Sequence, residues 1–305
     1  MNPSTSFDVL LIGGSVAGLS AALVLGRSRR TVLVLDAGKP ANRQTPHSHS
    51  FLTRDGTPPA QLAALAREQA LAYPTVTLRS ATVMHAVREH GQFLVKTSTG
   101  DEFRAKRLLL ATGVADQLPD LPGFAECWGI SVLHCPYCHG YEVGDQRLGV
   151  LANGDAAFEF ARLLLNWSRD LTLFTNGPAT LSQSQAETLT RLGVGLVETP
   201  LTAIPHELGY LSSLALADGR FHPLDALFAR VPFAQTSDLG EQLGCEFDEW
   251  GLLKTDDWGK TSVEGVFAAG DNSTLMRQVV AAAANGAKAA AFINRELVEE
   301  EFPAT

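Results

Sequence analysis

The apolar positions of this chain fall into short runs separated by glycine, proline and asparagine breaks, the pattern of buried strands alternating with helices. Phe7–Ile12 reads as a buried strand, Gly13–Gly18 as a turn, Leu19–Gly26 as an Ala/Leu-rich helix and Thr31–Leu35 as a second buried strand. Strand, turn, helix and strand closing on Asp36 form a βαβ unit. Pro58–Ala72 predicts an amphipathic helix with proline in its first turn. Strand-like segments follow near 75–86, 92–97 and 103–111. After a proline-bearing linker, Val114–Gly123, the pattern repeats: strand Leu148–Leu151, turn Ala152–Asp155, helix Ala156–Trp167, strand Leu171–Phe174. Strand-like pieces continue to about Arg230, and a second linker is expected near Cys245–Gly251. Gly265–Ala269 and a long helix from about Arg277 complete the chain. The repeated unit suggests internal duplication. The predicted fold is α/β, with two Rossmann-like nucleotide-binding domains, the second inserted into the first. The expected boundaries are 1–116 with 247–305 for one domain and 117–246 for the other.

Composition narrows the classes. The chain has 305 residues, 45% of them apolar and 19% charged, which suits a globular protein of two domains. A net charge of -9 disfavours nonspecific binding to nucleic acid or an anionic membrane. Four cysteines do not make a secreted disulfide framework. Met1–Phe7 has neither a basic nor an apolar signal region, and Val279–Ile293 is interrupted by Asn285 and Lys288. A cytoplasmic protein with no membrane span is expected.

Gly13-Gly14-Ser15-Val16-Ala17-Gly18 fits the dinucleotide fingerprint except at its middle glycine, where Ser15 stands. The first glycine permits the tight turn, and the last lets helix and strand pack closely, so that the helix N-terminus faces a pyrophosphate. Asp36, 23 residues after Gly13, is placed to bind an adenosine ribose. Thr112-Gly113 at a strand end and Gly270-Asp271 after an Ala-Ala pair are further points of close cofactor approach.

The run His134-Cys135-Pro136-Tyr137-Cys138-His139-Gly140 holds the chemistry. A CxxC pair closes a tight disulfide, and its first sulfur is activated if a helix starts there. Cys-x-x-Cys-His is also the c-type haem attachment string, but that requires export. A zinc site fails because His134 and Cys135 are adjacent and no second CxxC completes it, so no metal is expected. Glutaredoxins share the string Cys-Pro-Tyr-Cys, but in small one-domain proteins. A redox disulfide remains.

Together, Gly13–Gly18, Ala111–Gly113, Cys135–Cys138, Gly265–Asp271 and Arg277-Gln278 make the chain resemble the low-molecular-weight thioredoxin reductases over nearly its whole length. The resemblance implies FAD in the first domain and a redox-active disulfide in the second. It also implies a homodimer and an inserted domain that swivels on its linkers. It assigns Gly13, Gly14, Ser15, Ala17, Gly18, Asp36, Asn42, Thr112, Gly113, Gly270, Asp271, Arg277 and Gln278 to the cofactor. Cys138 would be the flavin-facing sulfur and Cys135 the one exchanging with substrate. The proton donor that follows the second cysteine is acidic in the family; here it is His139, a catalytic candidate or a solvent-facing loop histidine. His47 and His49 are candidates to line the flavin or plain surface residues. Cys127 and Cys245 read as buried hydrophobes.

The second nucleotide motif departs from the family. Ala152-Asn153-Gly154-Asp155-Ala156-Ala157 keeps only Gly154 and Ala157, and Ala152 stands at the tight-turn position. Phe174-Thr175-Asn176-Gly177 offers no basic cluster for a 2′-phosphate and no acid for a NAD ribose. NAD(P)H use is therefore doubtful. Three readings stay open. One is a thioredoxin-reductase-like enzyme serving a thioredoxin-like protein, with a poorly bound nicotinamide, ferredoxin or another protein as donor. Another is an oxygen-coupled oxidase of a small-molecule dithiol. The third is a non-enzymatic flavoprotein whose disulfide switches partner binding.

Overall fold

A computed structural model describes residues 6–304; the polar segment 1–5, read above as lacking a leader signal, lies outside the described residues. The elements in chain order begin with β1 (Ser6–Ile12), α1 (Val16–Arg27), β2 (Val32–Asp36), α2 (Pro59–Leu71), β3 (Val76–Ser80), β4 (Val83–Glu89), β5 (Gln92–Thr97), β6 (Glu102–Leu110) and β7 (Val114–Asp116). Then come α3 (Phe124–Cys127), β8 (Val132–Leu133), α4 (Pro136–His139), β9 (Leu148–Leu151), α5 (Gly154–Leu164), β10 (Leu171–Phe174), α6 (Gln183–Arg191) and β11 (Gly195–Val197). Short strands follow: β12 (Leu201–Ala203), β13 (His206–Glu207), β14 (Tyr210–Leu211), β15 (Ser213–Leu216), β16 (Phe221–Pro223), β17 (Ala226–Ala229) and β18 (Phe233–Gln235). The chain closes with α7 (Leu239–Leu243), β19 (Val266–Ala268) and α8 (Val279–Glu301).

Two compact units result. The first comprises residues up to Arg43, Phe51–Ala115 and Ala234 onward; the second comprises Gln44–Ser50 and Asp116–Phe233. The second boundary thus falls at 233–234 rather than at the expected 246–247. The cause is burial: α7 and Cys245 belong to the first unit's core, where Leu239 and Cys245 pack with Leu10, Phe93 and Leu253. The polar loop Gln44–Ser50, sequentially part of the first domain, packs with the second unit. There Gln44 Nε2 donates to Ala125 O at 3.3 Å and Ser50 Oγ donates to Tyr137 O at 3.2 Å.

In the first unit, β3-β2-β1-β6 are parallel, β19 pairs with the end of β6, and the β4-β5 hairpin pairs with its start. Ile12 lies opposite both Leu35 and Leu110, and Ala268 lies opposite Leu110. The segments after β1, β2, β6 and β19 therefore emerge side by side at one sheet edge. Apolar side chains of α1 and α8 cover one face and the α7 segment the other.

The second unit's sheet, β11-β10-β9-β17-β8, is wholly parallel, and apart from the exposed edge strand β11 it is buried on both faces, so those strands read as continuous apolar runs. Phe228 lies opposite Leu133 and Val150. The chain leaving β8 at His134 and the chain leaving β9 at Ala152 therefore share the carboxyl edge, where open α/β sheets place their chemistry.

Candidate active site

The first unit's edge is a cradle built by contact rather than by charge. Gly13 has φ +111°, and a Cβ there would fall on the Ala111 carbonyl. A Cβ on Gly18 would fall on Gly13 O, and one on Gly286 of α8 would fall on Ala17 O. The turn is thus pressed between the β6 exit and α8, and only hydrogen fits at those points. Ser15 is the α1 N-cap in extended backbone, exposed, with no capping bond from its side chain. Helix α1 therefore begins at Val16, three residues earlier than the sequence suggested, directly after the turn.

Of the other predicted cofactor residues of this unit, Asp36, Thr112 and Gly270 lie against that turn. Asp36 Oδ1 accepts from Gly14 N and Gly38 N, both at 3.2 Å, and Oδ2 accepts from Arg67 Nη2 at 2.7 Å. Asn42 lies half-buried in the turn beyond β2. Thr112 Oγ1 accepts from Asn272 Nδ2 at 3.2 Å, and Thr112 O accepts from Thr236 Oγ1 at 2.8 Å. Gly113 lies in left-handed backbone with open space beside it, and Gly270 at φ +92° would bring a Cβ 3.1 Å from that of Ala17. Asp271 lies 3.7 Å from Arg277, whose side chain is mostly covered. Gln278 is the N-cap of α8, so that helix starts at Val279 and not at Arg277.

Sequence reasoning missed two residues at this edge, Arg67 and Asn272. Asn272 is fully buried, and its Nδ2 also donates to Leu110 O at 2.9 Å, while its Oδ1 has no partner. An orphaned buried oxygen costs about 1–3 kcal/mol. Together with a helix N-terminus and a turn that excludes side chains, it fits a dinucleotide cofactor held against this edge.

The second unit carries the disulfide. Cys135 and Cys138 are bonded, with their Cα atoms 5.3 Å apart; Cys135 is the N-cap of a single helical turn that opens on Pro136 and contains Cys138. Cys138 N donates to Cys135 O at 3.1 Å and Gly140 N donates to Pro136 O at 2.7 Å. Gly140 must lack a side chain because a Cβ would lie 2.7 Å from the Trp167 indole. Tyr137 stands edge-on to Trp167 at 5.5 Å and is largely exposed.

Four ionisable groups of this unit lie near one another: His49, His134, His139 and Glu142. His49 Nε2 lies 3.4 Å from Glu142 Oε1, so His49 has an acidic neighbour in its own unit. Burial first, then His134, pushes His139 down to about 4, against a partial lift from Glu142. It is a neutral imidazole at physiological pH. The unfolded chain takes up that proton between about 6.5 and 4 and the folded chain does not. The folded state is therefore favoured above about pH 6.5, and this advantage is lost as pH falls toward 4. Between pH 7 and pH 5 the loss should be about 1–2 kcal/mol. In His139→Gln, urea unfolding should lose that much less stability over the same interval; an identical pH dependence in both proteins would contradict the assignment.

The edge beside β9 carries a side-chain cap. Asn153 caps α5: its Oδ1 accepts from Gly154 N and Thr180 N, each at 2.8 Å, and from Thr180 Oγ1 at 3.1 Å. Its Nδ2 donates to Pro178 O at 2.9 Å. Asp155 in the first turn accepts from Gln185 at 2.8 Å. The left-handed residue is Gly154 at φ +66°, so Ala152 carries no strain despite its position in the motif. Beyond β10, Thr175 Oγ1 donates to Gly177 O at 2.6 Å and Asn176 Oδ1 accepts from Leu201 N at 2.8 Å. Cys127 and Cys245 are buried free thiols. Among the described residues, no group of three or more His, Cys, Asp or Glu is disposed to hold a metal ion, and no helix is long and apolar enough to cross a membrane.

A dinucleotide cradle in one α/β unit and a CxxC disulfide in the other define a disulfide oxidoreductase of the two-Rossmann type. The family described as Pyridine nucleotide-disulphide oxidoreductase matches residues 7–286, and the chain belongs to it, among the thioredoxin reductase-like flavoproteins. It is 31% identical to the thioredoxin reductase sirT of Leptosphaeria maculans, with 98% of this chain and 96% of that protein covered. The crystal structure of a putative thioredoxin reductase TrxB from Bacillus anthracis superposes with a TM-score of 0.93 at 33% identity, covering 97% of this chain and all of that one. An oxidoreductase from Agrobacterium tumefaciens gives 0.90 at 40% identity, covering 98% of this chain and 100% of that one.

Proposed function

We propose that this enzyme oxidises an external dithiol at Cys135–Cys138 and passes the electrons to FAD held by the Gly13–Gly18 turn. Supporting FAD are the side-chain-free contacts of Gly13 and Gly18, the orphaned Asn272 Oδ1 and the family membership. Asp36, Asn42, Thr112, Gly113, Gly270, Asp271, Arg277 and Gln278 would complete the site.

The direction of flow rests on one observation: Asn153 Oδ1 takes the Gly154 N–H, the first backbone donor of α5 that a nicotinamide dinucleotide would use, and holds Thr180 beside it. With no base beyond β10 for a 2′-phosphate, NADPH is not the reductant in this reading. Dithiol oxidation, with oxygen as terminal acceptor, is therefore preferred to reduction of a thioredoxin-like protein by NADPH or a ferredoxin-type donor.

In the chain's own chemistry, a substrate thiolate attacks Cys135 Sγ, forming a mixed disulfide and releasing Cys138 as a thiolate. The second substrate thiol then attacks the mixed disulfide and leaves as a disulfide, with Cys135 expelled. His139, next to Cys138 in the chain, is neutral and would take part as a hydrogen-bonding partner of the thiols, since at about 4 it is too weak a base to hold a thiol proton. When bound, FAD would supply a two-electron acceptor for the reduced pair, with oxygen as the terminal acceptor and peroxide as its product. By family analogy the enzyme is a cytoplasmic homodimer.

Anaerobic titration tests the proposal. Dithiothreitol should bleach the flavin, air should restore it with peroxide formed, and NADPH or NADH should leave it yellow. Rapid bleaching by NADPH would reverse the assigned direction.

A further inference from the structure

The unit that bears the disulfide contains no lysine. Its residues, 44–50 and 116–233, hold 13 Asp and Glu against six Arg, a net charge of -7 out of the chain's -9. Three of the six arginines are neutralised by their own carboxylates: Arg147 by Asp225 at 2.6 Å, Arg162 by Glu159 at 3.2 Å and Arg220 by Asp218 at 2.7 Å. Arg230 lies over the Phe160 ring at 5.8 Å.

The segment around the redox pair is more one-sided still. From Asp116 to Gln146 there are five acids, Asp116, Asp120, Glu126, Glu142 and Asp145, and neither lysine nor arginine. His139 is neutral and adds no positive charge. What the unit does expose beside the cysteines is aromatic: Tyr137 is 61% and Tyr141 88% accessible.

Resting on the dithiol-oxidase reading, we infer that this lobe selects substrates by charge, taking uncharged or cationic apolar dithiols and rejecting anionic ones. The attacking thiolate meets the same field in every case, so that cost is common to all substrates. A further fixed negative charge on the substrate adds repulsion from several carboxylates at once. The field is felt over about 30 Å at 0.01 M ionic strength and only a few ångströms near 1 M, so the discrimination must fade with salt.

Dihydrolipoamide and dihydrolipoate are the probes, because they differ only in a neutral amide against a carboxylate. With the FAD-loaded enzyme at about 0.01 M ionic strength, kcat/KM for the amide should exceed that for the acid by about five- to tenfold. The ratio should fall toward one in 0.5 M salt. The double variant Glu126→Gln/Asp145→Asn should roughly halve the low-salt ratio. Equal rates at low salt, or a preference that salt leaves unchanged, would overturn the inference while leaving dithiol oxidation intact. If neither dithiol bleached the flavin, the parent reading would fall and this one with it.

Discussion

Replacing Cys138 by serine is expected to lower dithiol turnover by at least about 10³-fold, and Cys135→Ser should do the same, because neither variant can close the disulfide that accepts the electron pair. The two variants should then part company. Cys135 is the proposed exchanging sulfur, so Cys138→Ser should capture an external disulfide as a stable mixed disulfide, with no neighbouring thiol to resolve it. Cys135→Ser keeps only the sulfur assigned to the flavin and should capture far less. Intact-mass analysis after incubation with an aromatic disulfide distinguishes the two patterns. Both variants should purify with full flavin content, since the cradle lies wholly in the other unit. Turnover within tenfold of wild type in either variant would remove the pair from the mechanism, and trapping at Cys138 would invert the two roles.

The features most legible in the sequence were those enforced by backbone geometry. The turn after β1 has to be glycine because a Cβ at Gly13 or Gly18 collides with backbone, and that requirement is written directly in residue type. The parallel strands were legible because burial on both faces leaves uninterrupted apolar runs. Side-chain partnerships formed across the fold were not. Asn153 finds Pro178 and Thr180 about 25 residues away, and Arg67 meets Asp36 from a different element. No local pattern announces either. The loop Gln44–Ser50 is polar and aperiodic, so its attachment to the second unit left no trace in the hydropathy pattern. The misplaced boundary has a related origin. Residues 234–246 contain only a five-residue helix, and their membership is decided by two buried side chains, Leu239 and Cys245.

The second large effect concerns the cradle. Gly13→Ala should yield protein with less than about a tenth of the wild-type flavin, read as the ratio of absorbance at 450 and 280 nm. Two costs combine at this position. An L-residue at φ +111° pays at least the 1–2 kcal/mol of left-handed backbone. In addition, the new methyl group falls on the Ala111 carbonyl, so the β6 exit carrying Thr112 and Gly113 must move. The second cost displaces cofactor contacts, whereas the first only destabilises the fold. Gly100→Ala separates them, because Gly100 has φ +88° in the turn between β5 and β6 and nothing lies within 4 Å of its Cβ position. That variant should lose about 1–2 kcal/mol of stability and remain fully yellow. If Gly13→Ala bound FAD as well as Gly100→Ala, the turn would not be the cofactor's seat. If both were colourless, global destabilisation rather than crowding at the Ala111 carbonyl would account for the loss.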